Sequence, residues 1–141
     1  FTIIFLLSSI AILAFLETKK IKSNNLISEK YVQAGLYLST NQNEKAKNFY
    51  EEIILSKNKF YSVLALNVII EKELIKDKNK ILGYFEILEK NNYSKDKLDL
   101  IKFKKGLYLL KSNDIQSGNN ILEKLVEDKS ILEKTVKEIF Q

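Results

Sequence analysis

Two stretches decide how this chain reads: Asn41-Gln42-Asn43-Glu44-Lys45-Ala46-Lys47-Asn48-Phe49-Tyr50 and Asn113-Asp114-Ile115-Gln116-Ser117-Gly118-Asn119-Asn120-Ile121-Leu122. In each, a small residue stands five places after an asparagine, and a large apolar residue follows four places later. Twelve places before Ala46 and Gly118 stand two more small residues, Ala34 and Gly106. A helix pair that crosses closely needs small side chains at the crossing, because a larger one pushes the axes apart. Ala46 and Gly118 are 72 positions apart, twice 36, close to the roughly 34-residue period of tetratricopeptide repeats. The fold class expected is therefore all-α, with antiparallel helix pairs stacked into a solenoid. Ala34, Ala46, Gly106 and Gly118 are its repeat-packing positions, and Gly83 lies near the small position of a middle pair whose register the pattern leaves open.

Working outward, apolar residues recur at helical spacing between short polar breaks. Helices are expected over 26–38, 44–55, 60–75, 80–90, 95–111, 115–127 and 131–140. Ser94 and Asp114 are placed as N-caps, and Ser130 with Glu133 reads as a capping box. Proline is absent and glycine occurs four times, so little in the chain breaks helices.

Composition excludes several chemistries. Cysteine, histidine and tryptophan are absent, and all 23 basic residues are lysine. No disulfide, thiolate nucleophile or imidazole base is available. The net charge is +5, but lysines and carboxylates intermingle along the helices. That pattern fits solvated faces, and no nucleic-acid partner is expected. Ser94 and Lys97 have the S-x-x-K spacing of some acyl-transfer enzymes, but without the accompanying motifs. Glu51, Glu52, Glu71 and Glu73 suggest a carboxylate metal site, but they lie in lysine-mixed helices, which read as solvated surface. No catalytic residue, metal ligand or cofactor site is assigned.

Residues 1–16 carry no charge, and three further lysines, Lys19, Lys20 and Lys22, follow them. The uncharged run is read as a transmembrane anchor, cut short because the chain starts at Phe1 rather than at a methionine. Residues 17–25 are then a charged juxtamembrane linker and 26–141 the repeat domain.

An apolar anchor, a short charged stretch, then Tyr31-Val32-Gln33-Ala34-Gly35-Leu36-Tyr37, a polar turn and Asn43-Glu44-Lys45-Ala46-Lys47-Asn48-Phe49-Tyr50 form a layout that resembles the bacterial YfgM-like proteins, ancillary subunits of the Sec translocon. The resemblance implies a single-pass inner-membrane protein with a periplasmic domain. It also implies contacts with translocon subunits, chaperones or translocating polypeptides. The alternative is a cytoplasm-facing scaffold on the same anchor. In either case the concave face of the stack is the expected partner-binding groove, with Tyr31, Leu38, Phe103 and Leu107 facing it.

Overall fold

The computed structural model describes residues 2–140, with side chains described at 12 and from 15 onward; Phe1 and Gln141 lie outside the described residues. Seven helices follow in order: α1 (Thr2–Ser39), α2 (Asn43–Leu55), α3 (Tyr61–Glu71), α4 (Lys78–Glu89), α5 (Lys95–Lys111), α6 (Ile115–Glu127) and α7 (Glu133–Ile139). There is no strand among the described residues. Each helix packs on the next, and α1 also touches α3 as α2 touches α4. The helices therefore stack as successive pairs, each unable to bury its apolar face alone.

The helix ends explain the short turns. Asn41, Glu73, Asn113 and Lys129 all adopt positive φ. After each, the next backbone N–H reaches back five residues: Gln42 to the Tyr37 carbonyl at 2.8 Å, Leu74 to Ile69 at 3.0 Å, Asp114 to Leu109 at 2.9 Å and Ser130 to Leu125 at 3.0 Å. This is the Schellman arrangement, which satisfies carbonyls that a helix end would otherwise leave open.

Side-chain hydrogen bonds then tie one pair to the next. Asn58 Nδ2 donates to Asn24 Oδ1 at 2.8 Å, and the Tyr61 hydroxyl donates to Ser28 Oγ at 2.8 Å. Tyr84 donates to Glu51 Oε1 at 2.7 Å, and Asn91 Nδ2 to the Lys57 carbonyl at 2.8 Å. The partners are 33 or 34 residues apart in every case. Other bonds between pairs span more of the chain: Lys78 Nζ lies 2.7 Å from Asp114 Oδ2, 36 residues on, and Lys97 Nζ donates to the Lys59 carbonyl, 38 residues back.

One core runs from α1 to α5 and buries Ile53, Ile54, Leu66, Ile69, Ile81, Phe85 and Leu88 almost completely. Each such side chain stabilises the fold by about 1.5–3 kcal/mol relative to exposure. A smaller core of Leu122, Leu125 and Val136 joins α6 to α7, with Phe103 and Leu110 of α5 packed against it. Asp99 is buried on α5; Lys95 Nζ lies 2.8 Å from its carboxylate, and the Ser130 side chain also favours the charged form. Burial pushes the Asp99 carboxyl up, but these two partners and the charge of Lys102 outweigh it, so it sits below the usual carboxylate range.

Several expectations need correction. Among the described residues no helix is long and apolar enough to cross a membrane. From Thr2 the uncharged run belongs to a 38-residue helix that continues through Glu17, Lys19, Lys20 and Lys22. The transmembrane helix, the membrane contact through it and the single-pass inner-membrane, periplasmic placement are accordingly withdrawn. The side chains of residues 1–11, 13 and 14, on which much of that reading fell, lie outside the described residues. Residues 17–25 are helical, and the helix expected from residue 26 is the second half of α1.

The third helix ends at Glu71 rather than at 75, and α4 starts at Lys78. Leu74 and Ile75 prolong the apolar pattern, but the left-handed turn at Glu73 has already broken the helix. Asp77 caps α4 by accepting from the Asn79 N–H at 2.8 Å and the Lys80 N–H at 3.2 Å. The capping box does not form. Ser130 Oγ accepts from the Leu132 N–H at 3.3 Å, and Glu133 reaches Lys137 at 2.5 Å. Asp114 does cap α6, accepting from the Ser117 N–H at 3.3 Å, whereas the Ser94 side chain makes no capping bond.

Candidate partner-binding surface

The small residues set how tightly each pair closes. Ala34 and Ala46 are fully buried between α1 and α2. Gly106 and Gly118 are buried face to face between α5 and α6: a Cβ on Gly118 would lie 3.0 Å from the Gly106 carbonyl oxygen. The middle pair is built differently. Leu66 stands as far before the turn residue Glu73 as Ala34 and Gly106 stand before Asn41 and Asn113. Ile81, like Ala46 and Gly118, is the fourth residue of its helix. Both are large and buried, so α3 and α4 cannot close as the outer pairs do. Gly83, the small residue read into this pair, has nothing within 4 Å of an added Cβ and makes no such contact.

A trough lies between α3 and α5. Ile70, Leu107 and Tyr108 line it together with Asn67, Glu71, Lys104 and Lys111. The hollow measures about 180 Å³. A second hollow of about 240 Å³ continues it toward Ile75 and Ile81, sharing Ile70, Tyr108 and Lys111. Lys111 Nζ lies 3.4 Å from Glu73 Oε1 at the rim; both side chains are exposed, so the pair adds little stability.

The four expected groove residues separate. Leu107 lines the trough and is 37% exposed. Tyr31 is half-buried among aromatic rings, its centroid 5.6 Å from Tyr50 and 5.5 Å from Tyr61. Burial, then the charge of Glu71 and the neighbouring Tyr61, hold its hydroxyl above the usual phenol range. Leu38 packs against the larger core, and Phe103 against Leu122, Leu125 and Val136. Three of the four thus make packing contacts with a core cluster. The pattern does not single out Ile70, because the register of the middle pair is open, nor Lys104 and Lys111, which look like the other lysines of α5.

The groups weighed for catalysis are engaged elsewhere. Lys97 Nζ donates to the Lys59 carbonyl at 2.7 Å and lies 5.2 Å from the Tyr93 ring centroid. Glu51 pairs with Lys80 and accepts from Tyr84. Burial raises the Glu51 carboxyl, but the hydrogen bonds from Lys80 and Tyr84 outweigh it and hold the group below its ordinary value. Glu52 pairs with Lys30. Among the described residues no three acidic side chains gather as a metal site would require. Comparisons with known protein families, with curated proteins and with solved structures return no match.

Proposed function

We propose that this chain is a helical-repeat protein that binds a segment of another polypeptide along the trough between α3 and α5. The observation that carries the reading is the open hollow lined by Ile70, Leu107 and Tyr108, with Glu71 on one helix and Lys104 and Lys111 on the other. An apolar anchor flanked by charges of both signs is how grooves between helices hold peptides. The hollows are smaller than the roughly 300–1,000 Å³ of pockets that enclose small molecules, which favours one or two anchoring side chains from a longer ligand.

With the membrane span withdrawn, what remains of the likeness to ancillary translocon subunits is the repeat pattern. The proposal accordingly stops at polypeptide binding and names no particular machine. Its test is a Leu107→Gln variant, which removes the anchor contact while keeping a good helix former. The reading expects lost capture of the bound polypeptide at an unchanged melting temperature. Undiminished capture by that variant would set the trough aside.

A further inference from the structure

A second concavity lies at the other end of α3, away from the trough. One wall is α1, with Lys20, Asn24 and Asn25; the other is the turn between α2 and α3, with Lys57, Lys59 and Phe60. It holds about 620 Å³, and no carboxylate lines it. Its walls are fixed to each other by the Asn58–Asn24 and Tyr61–Ser28 hydrogen bonds. Asn58 also accepts from the Phe60 and Tyr61 N–H groups, both at 3.0 Å, which holds the turn in shape.

Three lysines line this cleft and no carboxylate does. Lys20, Lys57 and Lys59 have no ion pair among the described residues, as is true of most of the other lysines. A fourth lysine, Lys97, is held beside the same turn by the Lys59 carbonyl, over the 58% exposed Phe60 ring.

We infer that this cleft is a docking site for an acidic polypeptide segment. Ammonium groups on two separate walls, with amide and hydroxyl donors between them, match several carboxylates spaced along a chain. Phe60 offers an apolar contact to a side chain beside them. Lysine serves here as a point charge and needs no bidentate geometry. Phe60 and Tyr61 both line the cleft, but Tyr61 is half-buried and bonded to Ser28, which leaves one open ring where a single-stranded nucleic acid would call for a stacking platform. The inference does not depend on the trough, because the two surfaces share no lining residue.

The test is fluorescence anisotropy of a labelled Glu-rich peptide containing one Phe, titrated with the full chain. It is run beside the Gln-for-Glu peptide, single-stranded DNA and anionic vesicles. Two triple variants carry the same charge change: Lys20→Gln with Lys57→Gln and Lys59→Gln, and Lys90→Gln with Lys124→Gln and Lys134→Gln at exposed positions outside the cleft. The acidic peptide is expected to bind, and its affinity to fall with salt. The cleft triple should weaken it about tenfold or more, while the other triple changes it less than about threefold. Equal losses in both triples would reduce the effect to net charge and overturn the assignment. So would binding of DNA or vesicles without binding of the acidic peptide, or no binding of any probe.

Discussion

Gly106 and Gly118 meet backbone to backbone where α5 crosses α6, and each also presses on a leucine of the opposite helix. A Cβ on Gly106 would lie 2.8 Å from Leu122 Cδ2, and one on Gly118 would lie 2.6 Å from Leu110 Cδ2. The second would also lie 3.0 Å from the Gly106 carbonyl, which cannot rotate away.

The pair predicts a contrast between two glycines that look alike in sequence. Gly118→Ala overpacks the crossing and should destabilise the chain by about 1–3 kcal/mol. Gly83→Ala, inside α4 with open space where the methyl would go, should stabilise it by about 0.5–1 kcal/mol through helix propensity. Urea unfolding followed by circular dichroism measures both.

Asp77 makes α4 start where it does. Asp77→Ala removes the acceptor for the Asn79 and Lys80 N–H groups and should cost about 1 kcal/mol. Asp77→Asn retains a side-chain oxygen and should recover most of that loss in the same unfolding assay.

Acid should loosen the C-terminal end through Asp99. Its carboxyl is held below its ordinary value of 3.8, so the folded state binds its proton less readily than the unfolded chain does. The resulting stability is fully present above about pH 4 and is lost as pH falls through the lower folded value. Asp99→Asn should flatten that part of the stability profile measured between pH 5 and about pH 2. An unchanged acid slope in the variant would show that the Lys95 and Ser130 contacts to this carboxylate do not govern it.

Tyr31 and Phe103 should behave as packing residues. The double variant Tyr31→Ala with Phe103→Ala removes one ring from each core cluster. It should lower stability by about 2–5 kcal/mol, with loss of helicity in step with loss of any binding. A double variant that keeps its melting temperature and loses only partner capture would return both rings to the binding surface.

Much of the helical layout was legible because lysine, asparagine and serine breaks interrupt a helical apolar pattern. The bounds of α5 and α6 follow directly from Ser94, Asp114 and the polar turns. The middle of the chain was not legible. Glu73 takes a left-handed conformation with no glycine or asparagine to signal it, and Leu74 and Ile75 carry the apolar pattern past the true end of α3. That hid Asp77 as a cap, and with it the equivalence of Leu66 and Ile81 to the small residues of the outer pairs. The trough was missed for the same reason, since its lining depends on that register; Leu107 alone was named in advance. At the N-terminus, absence of charge over sixteen residues suggests a boundary. A helix continues across such a composition change without a break.

The most direct test of the polypeptide-binding reading is a photo-crosslinker placed singly at residues 70, 107, 86 and 123, followed by crosslinking in cells that make the full-length protein. Residues 70 and 107 line the trough, and 86 and 123 are exposed on α4 and α6. The account predicts a discrete crosslinked polypeptide at 70 and 107 that is absent at 86 and 123. Equal labelling at all four positions, or crosslinks confined to 86 and 123, would contradict it.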